Sequence, residues 1–469
     1  MPTTFTRLHG STLAVTLALL AATACGRGGP AADADEEAPA ITSSARLYEG
    51  ARLIAGNGGE PIEDAAFLVD DGVIVAVGRS GELGLPLGAG RVDLADKTVM
   101  PMLVSLHGHP GYQQGLSYDA DNYTRATLTD HLDRYAYYGV GTILSLGTDA
   151  GSLAFEIRGE QQRGLLGGAR LLTAGRGLAP PNAGPGADAM RGSAYGVTTE
   201  DEAREAVREL SALDVNAVKI WVDDRNGSVE KLDPELYRAI IEQAHSRGLT
   251  VIAHVYTAAD AADLVDAGVD GFAHLVRDEE MSSALVAAIE TRDVFVMPNL
   301  GVSERAIHTE PPPWLDDPLL HETVLLNVVA RATESFSERA AESVALARES
   351  YANMERSLMK LKEAGVPIVL GADSGVQDHF VGYSEIRELE LMVAAGMTPA
   401  EVIEAATSRP ASLLGLDAVG SLTPGKSADF IVLNASPLDD IANLHEIDDV
   451  YMRGERLNRQ ALRANFIGR

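Results

Sequence analysis

Between Pro101 and Leu416 the chain repeats one rhythm: a short apolar run, a loop, then a helical pattern. The apolar runs of strand length are 102–106, 142–146, 171–174, 217–222, 250–253, 271–273, 294–297 and 368–370, eight in all. Start signals mark the helices between them. Asp233-Pro234 places a cap before a proline in the first turn. Thr199 with Glu202, and Thr398 with Glu401, have capping-box spacing, and Thr257 caps a segment ending at Gly268. Eight strands alternating with helices predict an α/β fold, a (β/α)8 TIM barrel spanning residues 101–414. In that fold the working face lies at the C-terminal ends of the strands.

The flanks read differently. From residue 43 to 100 the chain is short strands and turns, with a hairpin across Asp70-Asp71-Gly72. After residue 415 β character returns at 428–433 and 450–455. Two β-rich ends flanking a barrel either pair into one discontinuous module, 43–100 plus 415–469, or stay as separate edge hairpins. Two connections are too long for plain barrel loops. Residues 176–197 are rich in Gly, Ala and Pro, and 301–364 start from Pro311-Pro312-Pro313-Trp314 and continue as a long helical pattern. Both are expected to cover the barrel mouth.

Residues 1–25 have the form of a signal peptide: Arg7 and His9, an apolar stretch 13–22 too short to span a membrane comfortably, then small residues and Cys25. Cys25 is the one cysteine, so no intramolecular disulfide forms, and its place after Ala22-Thr23-Ala24 resembles a bacterial lipoprotein signal. Export is expected, to the periplasm or to a lipid anchor on the outer membrane, with Cys25 the membrane contact. Residues 26–42, rich in Gly, Ala, Pro and acid, read as a disordered tether. The net charge is −30, with 68 acidic against 38 basic residues, which excludes a phosphate-binding face and so a nucleic-acid partner. Oligomeric state is not legible; an oligomer is compatible with the sequence.

The unusual residues fall at the strand ends. The first run ends in His107-Gly108-His109, two imidazoles at i and i+2 on one side of an extended backbone. The fourth carries Lys219, the fifth ends at His254, the sixth at His274 and the eighth at Asp373. Imidazole is the commonest metal ligand. Any one of these histidines has a satisfied loop or core position as its ordinary explanation; four at predicted strand ends, with an aspartate, do not. Lys219 lies in Ala217-Val218-Lys219-Ile220-Trp221, a buried-strand pattern rather than the flank of a snorkelling surface lysine. A buried amine loses its charge. A neutral amine adds carbon dioxide to give a carbamate, chemically a carboxylate able to bridge two divalent ions.

This pattern closely resembles the amidohydrolase superfamily of metal-dependent hydrolases, and within it the imidazolonepropionase-like and prolidase-like branch. The closing stretches Ala406-Thr407-Ser408-Arg409-Pro410-Ala411 and 420–429 are similar to the family's C-terminal segment. One departure is Met102, where the family usually has glycine. The resemblance implies a barrel flanked by a composite β-sandwich built from both chain ends, and a binuclear centre. His107, His109 and Asp373 would hold one metal, Lys219 as its N6-carboxylate would bridge, and His254 and His274 would hold the other.

The expected chemistry is hydrolysis of a C–N bond, an amide of a dipeptide or N-acyl amino acid, by a hydroxide shared between two divalent ions, with zinc the expected metal. Asp373 would serve as ligand and as the base that passes a proton to the leaving amine. Tyr256 and Arg277 lie near the predicted mouth as substrate contacts. Arg277 either clamps a substrate carboxylate bidentately or pairs with Asp278 or Glu279 at the rim. His379 is a substrate contact or a support for Asp373, and Asp223 and Asp224 either meet a substrate amine or are plain loop acids. The alternatives are a mononuclear deaminase or cyclic amidohydrolase of the imidazolonepropionase type and a non-catalytic barrel lipoprotein. The deaminase relatives carry a glutamate shortly after the fifth-strand histidine, and residues 255–258 contain none.

Overall fold

The Asp71-Gly72 turn sets the first hairpin. Both residues take positive φ, 49° and 74°, the geometry whose twist matches paired strands. Strands Ile62–Asp70 and Val73–Arg79 pair across it, Asp70 opposite Val73. This computed structural model describes residues 44–336 and 339–468. The signal segment 1–25 and the tether 26–42 expected from the sequence lie outside the described residues. No described helix is long and apolar enough to cross a membrane.

The two chain ends share one sheet. Strand Thr98–Pro101 runs parallel to the end of Arg46–Leu53 and antiparallel to Phe430–Leu433. Ile447–Met452 and Glu455–Arg456 then continue the sheet on the C-terminal side, giving eight strands. Aromatic rings from both ends interlock over it. Tyr48 stacks on Phe67 at 4.8 Å, Phe430 on Tyr451 at 4.5 Å, and Tyr48 meets Phe430 edge-on at 5.2 Å. Each such pair contributes about 0.5–1.5 kcal/mol beyond its buried area. The independent edge hairpins are therefore not what forms.

The central array is α/β and TIM-barrel-like. Leu103–Gly108, Val140–Ser145 and Arg170–Thr173 form one parallel sheet. Val218–Val222, Val251–Val255, Gly271–Ala273 and Phe295–Met297 are parallel neighbours in another. The eighth expected strand does not form a ladder. Residues 368–374 meet their neighbours through single bridges, Val296 with Ile368 and Gly108 with Ser374. The run bends too soon for more, since Asp373 takes a φ of 58°. Backbone hydrogen bonds still span the seams: Leu106 N to Leu370 O at 2.9 Å, Asp373 N to His107 O at 2.9 Å and His109 N to Ser374 O at 2.7 Å on one side, Val296 N to Pro367 O at 2.9 Å and Val369 N to Val296 O at 3.0 Å on the other, and Asn216 N to Thr173 O at 2.8 Å between the two sheets.

The helix signals act as their chemistry requires. Thr199 and Glu202 close a capping box on Glu200–Ala212, and Thr398 and Glu401 close another on Pro399–Ala405. Thr257 accepts from Asp260 N to start Ala258–Ala267, and Gly268 ends it at a φ of 93°, where a side chain would be strained. Of the two long connections, 176–197 pairs back into the second sheet through Leu178–Ala179 and Tyr195–Gly196. The other carries the 23-residue helix Ala341–Glu363.

Candidate metal centre

Three of the strand-end histidines meet around the carboxylate of Asp373. The Nε2 atoms of His107 and His109 lie 3.2 and 2.9 Å from Asp373 Oδ1, and His274 Nε2 lies 3.8 Å from Oδ2. The two Nε2 atoms of His107 and His109 are 3.2 Å apart. His254 stands against His274, ring centroids 4.7 Å apart. Lys219 is wholly buried beneath them and its Nζ has no hydrogen-bond partner. His107, His274 and Asp373 can converge ligand atoms within 4.8 Å of one another.

The neighbours of these rings decide which nitrogen faces inward. Asn299 donates its Nδ2 to Gly371 O at 2.7 Å, so its Oδ1 must be the atom 3.2 Å from His107 Nδ1. His107 therefore carries its proton on Nδ1 and turns a bare Nε2 to the centre. Thr148 Oγ1 stands 3.0 Å from His109 Nδ1. His254 donates Nε2–H to Asp223 Oδ2 at 3.1 Å, which leaves its Nδ1 as the free base. Carboxylate and amide partners of this kind fix the tautomer of metal-bound imidazole.

Burial sets the charges. His107 and His274 are held well below the usual imidazole range by desolvation, and His254 is brought down to about 4 by the same cause despite Asp223. Burial lowers Lys219 to about 7. Burial would raise Asp223, but its bonds from His254 and the Arg225 N–H outweigh that and bring it to about 2. A set of neutral imidazole lone pairs converging on a carboxylate oxygen, with an unpartnered amine buried beneath them, is a cation site: donor atoms repel one another there unless a positive charge lies between them.

Three corners at the site are strained. His274, Asn299 and Asp373 have φ of 91°, 52° and 58°, a region costing non-glycine residues roughly 1–3 kcal/mol each. Gly108, between His107 and His109, gives room on the side away from the centre. A Cβ there would lie 2.6 Å from Tyr135 Oη and 2.9 Å from Ile143 Cδ1. Its smallness lets a helix pack on the strand, rather than letting the backbone approach whatever the imidazoles hold.

The centre opens into a cavity of about 400 Å³. Both long connections wall it: Pro185 and Met190 from one, Leu346, Tyr351 and Met354 from the helix Ala341–Glu363 of the other. Arg277 and Tyr256 line it too. The Arg277 guanidinium sits 5.1 Å from the Tyr256 ring centroid and makes no ion pair with Asp278 or Glu279; Asp278 accepts from Ala258 N instead. Its Nε and Nη2 are buried without partners. His379 is elsewhere. It donates Nε2–H to Ala372 O at 2.8 Å and lines a second cavity, bounded also by Phe380 and Phe466. Asp224 is not part of the site. Sequence reasoning missed Asp223 as a partner of His254, and missed Asn299 and Thr148 altogether.

A TIM-barrel-like array with such a centre at its strand ends is a metal-dependent hydrolase. The amidohydrolase family model matches residues 98–457, and the chain belongs to that family, acting on carbon–nitrogen bonds. It is 26% identical to ochratoxinase of Aspergillus niger over 447 residues, covering 85% of this chain and 83% of that one. A crystal structure of a Xaa-Pro dipeptidase with bound methionine in its active site superimposes with a TM-score of 0.70 at 24% identity, over 88% of this chain and 100% of that one. Imidazolonepropionase of Deinococcus deserti is 32% identical over only 101 residues, 21% of this chain and 25% of that enzyme.

Proposed function

We propose that the chain is a two-metal hydrolase that cleaves the amide bond of a substrate bearing a free carboxylate, a dipeptide or an N-acyl amino acid. The observation that carries this reading is the free edge of Arg277. Nε and Nη2 are the two nitrogens whose N–H bonds point the same way, the pair that grips a carboxylate with two parallel hydrogen bonds. Both are buried without partners, beside the cavity that holds the metal ligands. A buried, unpaired guanidinium is costly to keep, and a substrate carboxylate would satisfy it.

In this reading His107, His109 and Asp373 would hold one divalent ion and His254 and His274 the other, with Lys219 as its carbamate a shared ligand and zinc the expected metal. Such ions supply Lewis acidity, lowering the pKa of water and polarising the amide carbonyl. Asp223 and Asn299 keep His254 and His107 in the tautomers that leave a lone pair inward. Asp373 takes the proton of the attacking water and delivers it to the leaving amine. Tyr256 supports Arg277 from below, and His379 acts only through the backbone at Ala372. The 368–373 run serves as eighth strand of the barrel 101–414, and the sheet shared by 43–100 and 415–469 as the composite sandwich. The chain is exported, with Cys25 its lipid attachment.

Arg277→Met tests the substrate class. One charge-assisted hydrogen bond is worth roughly 1.5–3 kcal/mol, so the loss in kcat/KM is at least about 10- to 100-fold. The loss is expected for an N-acyl amino acid and not for the same compound with its carboxylate amidated. Equal losses on both would show that Arg277 does not read the carboxylate.

A further inference from the structure

Two buried acids beneath the metal centre are not among its ligands. Glu385 and Glu388 lie one turn apart on the helix Tyr383–Ala395, and both are fully buried. Buried carboxylates require donors. Glu388 takes both of its donors beside a left-handed corner of the site; Glu385 takes one there, Ser374 Oγ, and others from Gly382 N at 2.9 Å and Ser105 Oγ at 3.3 Å.

Glu388 accepts from Leu300 N at 2.8 Å through Oε1 and from Gly301 N at 2.7 Å through Oε2. Those N–H groups open the helix Leu300–Glu304 and have no partner within it, and the second of them is one that an N-cap side chain ordinarily takes. Asn299 is the N-cap, yet it makes no cap bond. Its side chain is turned away, Nδ2 to Gly371 O and Oδ1 to His107 Nδ1. Glu388 thus performs the capping from another helix and leaves Asn299 free to orient His107. Glu385 acts on the opposite corner. It accepts from Ser374 Oγ at 2.6 Å, and Ser374 Oγ also bonds Tyr135 Oη at 2.7 Å. The carbonyl of Ser374 accepts from His109 N at 2.7 Å. Asn299 and Asp373 hold positive φ, 52° and 58°, which persists only where the surroundings over-determine it.

We infer that Glu388 and Glu385 are positioning residues of the metal centre: from one helix they fix the corners at Asn299 and at Asp373-Ser374 that present His107 and Asp373 to the metal. This rests on the metal-centre reading above. A purely structural role would anchor the helix without coupling to Asn299.

The test is zinc affinity, measured by competition with a chromophoric chelator, for the wild-type chain, E388Q, N299A and the double variant. E388Q replaces one accepting oxygen with a donor that faces a backbone N–H. Each single change is expected to weaken zinc about 10- to 100-fold. The double variant should weaken it no further than the weaker single, because both act through one hydrogen bond to His107. Losses that multiply, or wild-type affinity in E388Q, overturn the inference. Should E388Q not fold, S374A probes the other corner without altering a buried acid: zinc about tenfold weaker is expected, and wild-type affinity overturns the role of Glu385. A wild-type chain that binds no zinc overturns the metal-centre reading itself, an outcome distinct from the others.

Discussion

Lys219→Met separates two effects of opposite sign. The amine is wholly buried, has no hydrogen-bond partner, and is brought down to about 7 by burial. A lysine titrating at its ordinary value near 10.5 is neutral in roughly one molecule in 3,000 at pH 7, whereas one titrating at about 7 is neutral in about half. Only the neutral amine adds carbon dioxide, so the fold raises its reactive fraction by about three orders of magnitude. Methionine fills a similar volume without a donor. In the metal-free chain the substitution removes an unsatisfied buried group, and stability should rise by about 1–3 kcal/mol. In the metal-loaded chain it removes the bridge, and bound metal should fall from two ions to one or none. Urea unfolding in excess chelator reads the first effect, and elemental analysis after dialysis the second. Added bicarbonate should raise metal uptake by the wild-type chain and leave the variant unchanged. A variant that keeps two ions would refute the carbamate, and a metal-free variant less stable than wild type would refute the burial cost from which the carbamate is argued.

His445 lies between Asp317 and Glu390, 2.7 Å from each; burial opposes its charge, but the two carboxylates win and raise it to about 9. Its folded value exceeds the unfolded value of about 6.5, so its contribution, up to about 3 kcal/mol, is fully present below pH 6.5 and lost as pH rises through 9. His445→Gln should flatten the fall in urea midpoint between pH 6.5 and 9, and an unchanged slope would assign that fall to other groups. Asp373→Asn should leave the circular dichroism spectrum unchanged and reduce turnover to background; measurable kcat would remove Asp373 as the base. Cys25→Ser should move the expressed chain from the membrane to the soluble fraction, and a variant that stays on the membrane would show that Cys25 is not its attachment.

The strand-end residues that the structure gathers at one place were legible because each depends on local order alone. His107, His109, His254, His274 and Asp373 each stand where an apolar run stops, and Lys219 stands inside one. Their partners depend on relations between strands. Asp223 follows Val218–Val222 and reaches His254 on the adjacent strand; Thr148 follows Val140–Ser145 and reaches His109 on the adjacent strand. Such contacts exist only once register is fixed, and a slip of one residue would turn those side chains to the opposite face. A search of the polar residue one to three places past each strand, matched against the neighbouring strand's histidine, would have found both. The eighth run was legible only in part: 368–370 has the apolar content of a strand and the run 368–374 bridges both neighbours, but the left-handed turn at Asp373 ends it before a ladder forms. That turn is beyond any reading of composition, because aspartate, asparagine and histidine tolerate positive φ without demanding it. Glu385 and Glu388 were hidden by the opposite habit of inference. On an amphipathic helix paired acids belong on the solvated face, and here they face inward, where donors meet them: Leu300 N and Gly301 N for Glu388, and Ser374 Oγ, Ser105 Oγ and Gly382 N for Glu385. The acids and the corners are therefore linked: the backbone N–H groups after Asn299 and the Ser374 hydroxyl after Asp373 are donors that buried carboxylates require.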